Sequence, residues 1–176
     1  EAVMFRVGDK VLDLSNHIFE IEQIEDKSFG FGPESYFVLK PFYQYDFNDE
    51  YRAYVPVKSA DEVLRHIMNK EEALELINEL PTMETYANIS PRERKNKFTK
   101  IARSGDRSEM LKAIKTLVCY RDQRLKENKP FSDYDKKLLE TMSSLLFIEV
   151  TTVLNISMQS LFNIIHDKTG MIIKKG

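Results

Sequence analysis

Six cationic side chains crowd into one short stretch of the chain: Arg92, Arg94, Lys95, Lys97, Lys100 and Arg103. The chemistry open to such a cluster is charge neutralisation. Lysine and arginine bind phosphate oxygens and release condensed counterions without reading a base sequence. At helical spacing Arg92, Lys95, Lys100 and Arg103 share a broad face, whereas Arg94 and Lys97 point away from its centre, so part of the set faces solvent. Arg121, Arg124, Lys126 and Lys129 either extend this patch or complement the C-terminus of a second helix.

Other chemistry has little to build on. No phosphate-cradling glycine loop, dinucleotide fingerprint, nucleophile elbow or zinc-protease motif occurs. His17, His66 and His166 fall in different predicted elements, with no cysteine or carboxylate partner at metal spacing. The one cysteine, Cys119, excludes an intramolecular disulfide and a paired-cysteine site; within Leu117-Val118-Cys119 it is expected to pack as a small hydrophobe. Glu71, Glu72, Glu75 and Glu79 spread over a helix start and face, where they stabilise the positive helix end rather than exchange protons. The residues therefore imply neither an enzyme nor a cofactor.

The chain has 176 residues, 31% of them charged, and a net charge of -2. That near-neutral total hides a division. Residues 1–90 carry 8 basic against 18 acidic side chains, residues 91–130 carry 13 against 5, and residues 131–176 carry 5 of each. An acidic half joined to a basic block predicts two modules with different partners. No apolar run approaches the roughly 20 residues of a membrane helix, and Glu1-Ala2-Val3-Met4-Phe5-Arg6 is not a secretory signal. A cytosolic chain is expected.

The elements that must position these residues change character along the sequence. Up to Pro56, short β-branched and aromatic runs alternate with turn formers such as Ser15-Asn16, Gly30-Phe31-Gly32-Pro33 and Asn48-Asp49. They predict a small, strongly curved antiparallel sheet or barrel. Phe42, Tyr43, Tyr45 and Phe47 form either an exposed patch or a local mini-core at a hairpin tip. Beyond Pro56 the period becomes helical. A short helix covers Ala60–Ile67, a second follows the Asn69 cap, and Thr82–Ile89 reads as a linker. Four further helices begin at Ser90, Asp106, Ser132 and Ser157 and leave a tail, Met171–Gly176, that is either frayed or weakly docked. The predicted fold is α+β, a small antiparallel β-barrel followed by an all-α helical bundle. Its divisions are 1–66 for the β-domain, 67–89 for a connecting helix and linker, and 90–176 for the helical domain.

Met4-Phe5-Arg6-Val7-Gly8-Asp9-Lys10-Val11, Ile21-Glu22-Gln23-Ile24-Glu25, Tyr54-Val55-Pro56-Val57 and Asn69-Lys70-Glu71-Glu72-Ala73 stand in an order that resembles the CarD/CdnL family of bacterial transcription regulators. So do Ser104-Gly105-Asp106, Tyr120-Arg121-Asp122 and Phe131-Ser132 followed by Lys136-Lys137-Leu138-Leu139. The resemblance implies a Tudor/SH3-like N-terminal domain that pairs a strand, best Tyr51–Val55, with the β subunit of RNA polymerase, with Lys27, Arg52 and Tyr54 in contact. It implies a monomer at the nucleoid whose helical domain meets promoter double-stranded DNA, largely independently of sequence, through Arg92, Arg94, Lys95, Lys97, Lys100 and Arg103. Many members insert a tryptophan into the minor groove. This chain has no Trp, and Tyr86 or Ile89 is the apolar side chain available instead. The competing reading is a protein-interaction adaptor whose helical bundle dimerises through Ile148–Ile165 and binds no DNA.

Overall fold

Alternating apolar residues and tight turns produce five antiparallel strands in a computed structural model that describes residues 4–42 and 48–174. They are β1 (Lys10–Leu12), β2 (Ile18–Lys27), β3 (Glu34–Pro41), β4 (Ala53–Pro56) and β5 (Arg65–His66), arranged β4-β3-β2-β1-β5. The sheet curls into a half-barrel. A bulge in β2, where the pairing steps from Ile21 to Gln23, sharpens the curl. Val11, Phe19, Ile21, Phe37 and Leu39 line its core, closed by Ala60 of the short helix α1 (Ala60–Val63) and by Leu64. The turn after β1 is held by Asp13, whose carboxylate accepts the N–H groups of Ser15 and His17 at 2.9 Å. Asn16 takes the left-handed position there (φ 62°), which asparagine tolerates better than most residues. The strand expected from Tyr51 starts later, at Ala53, because the Tyr51 N–H turns back to the Asn48 carbonyl at 3.1 Å. Phe42 is exposed, with the Lys10 ammonium 4.6 Å from its ring centre. Tyr43, Tyr45 and Phe47 lie outside the described residues.

The second unit starts at Met68. Its helices are α2 (Lys70–Glu79), α3 (Pro91–Ser104), α4 (Arg107–Lys126), α5 (Asp133–Leu154) and α6 (Met158–Thr169). Each start is sealed by a side chain. Asn69 with Glu72 and Ser90 with Glu93 form capping boxes, and Asp106, Ser132 and Ser157 accept backbone N–H groups of the first turns of α4, α5 and α6. Gly105 and Gly170 end α3 and α6 in the left-handed conformation that glycine reaches without a Cβ clash.

Further expectations change. The helix expected over Ala60–Ile67 stops at Val63, because Leu64 turns extended and Arg65–His66 pair with β1 as β5. Residues 67–89 do not form a separate connector, because Ala73, Leu76, Ile77 and Leu80 pack into one core with Phe98, Ile114, Leu117, Met142 and Leu146. The stretch beyond α2 is tied down as well. The Lys115 ammonium donates to the carbonyls of Leu80 (2.7 Å), Pro81 (3.3 Å) and Met83 (2.7 Å), and the Tyr86 N–H reaches the Thr116 hydroxyl at 3.0 Å. Of the two states expected for the tail, Met171–Lys174 takes the docked one: Met171 and Ile173 are buried, and Arg121 donates to the carbonyls of Ile172 and Ile173. Cys119 is exposed rather than packed, one residue past buried Val118 and so rotated off the inner face of α4.

Among the described residues no single helix is long and apolar enough to cross a membrane. Helices α5 and α6 meet that test only together, and they are bent by 101° at their junction. The ammonium of Lys115 is the strongest tie on the stretch after α2, so Lys115→Met should lower stability by about 2 kcal/mol, the cost of leaving part-buried carbonyls unmatched. It should also speed proteolytic cleavage between residues 82 and 89. Unchanged urea midpoints and cleavage rates would show that the stretch is held by other contacts.

Candidate nucleic-acid and protein-binding surfaces

Helix α3 is polar almost throughout, and its orientation is set by three buried residues spaced four and then three apart: Arg94, Phe98 and Ile101. Arg94 is only 3% exposed. Its Nε and a terminal guanidinium nitrogen donate to the two Asp135 carboxylate oxygens at 2.9 and 2.7 Å, and the guanidinium lies 4.3 Å from the Tyr120 ring centre. The Ser132 hydroxyl donates to Asp135 at 2.9 Å and accepts the Asp135 N–H at 3.1 Å. Asp135 raises the Arg94 pKa above its ordinary value, outweighing the effect of burial. Arg94 is therefore removed from the DNA-facing set: it joins α3 to the first turn of α5. A signal for this was present, since Arg94 shares its helix face with Phe98 and Ile101.

The other five cations of α3 are exposed. Arg92, Lys100 and Arg103 form no ion pair with any described residue. The Lys95 ammonium sits 4.9 Å from the Tyr134 ring centre and that of Lys97 sits 4.2 Å from Tyr86, contacts that leave positive charge at the surface. Lys97 and Lys100 also line an open groove of about 690 Å³ beside Asn88 and Ile89. Tyr86 and Ile89 do not project from this surface. The Tyr86 ring packs 5.5 Å from Phe98 with Lys97 and Lys112 over it, its hydroxyl donates to Glu109, and Ile89 packs on the core. The second basic set works locally. Arg121 holds the tail, Arg124 donates to the Pro130 carbonyl at 2.8 Å and Lys129 pairs with Glu127 at 3.1 Å.

In the half-barrel, Lys27 and Tyr54 meet. The Lys27 ammonium donates to the Tyr54 hydroxyl at 2.9 Å and lies 3.3 Å from Glu25, and these two contacts, Tyr54 first, raise its pKa. Arg52 is held to Glu22 at 2.8 Å and to the carbonyls of Asp49 and Tyr51. β4 is the outermost strand, so no described strand covers its far side. The Phe42 N–H bonds back to the Ile18 carbonyl, and the alternation this imposes turns Phe37 and Leu39 towards β4. Their partners Val55 and Ala53 face inward in the ladder, which leaves the N–H and C=O of Tyr54 on the open edge.

Among the described residues no group of three His, Cys, Asp or Glu side chains is placed to hold a metal ion. The Ile148–Ile165 stretch turns much of its apolar surface inward: Val150, Leu161 and Ile165 are core residues, with Val153, Leu154, Ile156 and Ile164 packed against them. The buried pair predicts a contrast between neighbours on α3. Arg94→Ala should cost about 3–5 kcal/mol by leaving Asp135 unpaired, and the double change Arg94→Met with Asp135→Leu should recover most of it. Arg92→Ala, Lys100→Ala and Arg103→Ala should each stay within about 0.5 kcal/mol. Urea unfolding of the five variants measures this, and a mild Arg94→Ala would refute the anchoring role. No protein-family model matches the chain, and no significant match to it is found among curated proteins.

Proposed function

We propose that this chain is a non-enzymatic transcription regulator. In this reading the half-barrel pairs the β4 edge with the β subunit of RNA polymerase, with Lys27, Arg52 and Tyr54 at the contact. The helical unit meets promoter DNA phosphates through Arg92, Lys95, Lys97, Lys100 and Arg103 and modulates open-complex formation. The observation that carries the DNA half is the outward face of α3, where five cations stand on solvent and none forms an ion pair with a described residue. A surface built to be neutral would pair them, since the chain has 28 acidic residues. None of the α2 carboxylates forms an ion pair with α3. Covalent tethering to a polymerase-bound domain raises the effective DNA concentration, so a modest, sequence-independent contact suffices.

Two measurements test the reading. Changing Arg92, Lys100 and Arg103 together to glutamine should weaken binding to a short duplex and reduce the slope of log K against log salt by about 2–3, since each lost phosphate contact removes roughly 0.9. A triple variant with the parent's affinity and slope would remove DNA from the proposal. Tyr54→Pro removes an outward N–H of β4 together with the Tyr54 ring, which contacts Lys27 and Phe29, whereas Tyr54→Ala removes the ring and keeps the N–H. Both should stay folded by circular dichroism, with retrieval of the polymerase β subunit lost in Tyr54→Pro and kept in part in Tyr54→Ala. A folded Tyr54→Pro protein that still retrieves β would refute strand pairing.

A further inference from the structure

The hairpin joining β2 to β3 carries a feature that the proposed function does not use. Phe31 is 98% exposed. It stands between Gly30 (φ 99°) and Gly32 (φ 92°), where a Cβ would meet open space, so glycine is required there by the backbone conformation alone. Next to it in the hairpin an aromatic cluster begins. The Phe29 ring packs edge-on against Tyr36 at 5.0 Å and against Tyr54 at 5.8 Å, and Phe29 is itself more than half exposed. Tyr54 belongs to the open edge strand, so the Phe29 ring stands beside that strand, and Phe31 follows two residues later in the same hairpin.

We infer that Phe31 is an anchor side chain that inserts into an apolar socket on the protein whose strand pairs with β4, the socket being rimmed by basic groups. The argument is one of cost and charge. A large ring held fully in water contributes nothing to this fold, and two left-handed glycines keep it there, whereas interface anchors are aromatic side chains that fill a partner's pocket. The surrounding charge selects the occupant. At the hairpin Glu25 pairs with Lys27 and Glu34 with Lys58, which leaves the Asp26 carboxylate, and residues 1–67 as a whole carry 7 basic against 13 acidic side chains. Such a surface repels lipid headgroups and nucleic-acid phosphates and attracts a basic protein rim. The inference rests on the strand-pairing reading and adds its specificity element.

The test compares the full-length protein with its Phe31→Ala, Phe31→Leu and Tyr54→Pro variants for binding to purified core RNA polymerase by surface plasmon resonance. Since Phe31 supports no neighbour, Phe31→Ala should melt at the parent's temperature yet bind about thirtyfold more weakly, the size of an interface anchor. Phe31→Leu should recover part of that loss. Parent-like binding by Phe31→Ala together with failure of Tyr54→Pro would overturn the anchor and leave strand pairing standing. A parent protein that does not bind polymerase would overturn both. Phe31-dependent binding to phosphatidylcholine or phosphatidylserine vesicles would overturn the choice of a protein occupant.

Discussion

The surface chemistry of the helical unit depends on one buried contact, the forked ion pair between Arg94 and Asp135. Helix α3 offers the core only two large apolar side chains, Phe98 and Ile101. Two such contacts leave a polar helix free to roll. A planar guanidinium that must meet both oxygens of one carboxylate, with Tyr120 against its face, admits a single rotation. Once that rotation is set, Arg92, Lys95, Lys100 and Arg103 have nowhere to point but outward. Ser132 ties the same carboxylate to the cap of α5, so the helix that carries the charge and the helix that carries the core are fixed at one point. Replacing such a pair by apolar residues is often close to neutral for stability; its value here is orientation.

The remaining electrostatics follow a division of labour. In the half-barrel, three cations are neutralised locally: Lys27 by Glu25, Arg52 by Glu22 and Lys58 by Glu34. What that surface then offers is aromatic rings and the backbone of an edge strand, the groups that recognise another polypeptide. In the helical unit the acidic side chains are spent on caps and buried pairs. Glu72 and Glu93 close capping boxes, Asp135 holds Arg94, and Glu149 accepts Arg107 at 2.6 Å and the Met68 N–H at 2.8 Å. The described carboxylates that remain, Glu71, Glu75 and Glu79 of α2 among them, form no ion pair with the outer face of α3. Both units therefore arrive at a usable surface by deciding where the counter-charges go.

Local chemistry was legible in the sequence wherever its causes lie within one turn of chain. Ser90, Asp106, Ser132 and Ser157 mark helix starts because their side chains satisfy N–H groups two or three residues away, and Gly105 and Gly170 mark ends because only they enter the left-handed region cheaply. The switch from period two to helical period after Pro56, and with it the α+β architecture, could be read in the same way. So could the concentration of positive charge on α3.

Tertiary structure decided which of those charges are available, although helical spacing already set Arg94 on the face of Phe98 and Ile101. Arg94 and Lys95 are adjacent and chemically similar, yet one is buried against a carboxylate 41 residues away and the other stands in water. The same holds for residues 67–89, which read as a connector because the partners of that stretch, Lys115, Thr116 and Phe98, are distant in sequence. It holds also for the tail, docked by Arg121 from 52 residues away. Propensity, capping and charge density are properties of neighbours along the chain and so can be read from it directly. Burial and pairing are properties of neighbours in space, and a residue's sequence neighbours carry little information about them.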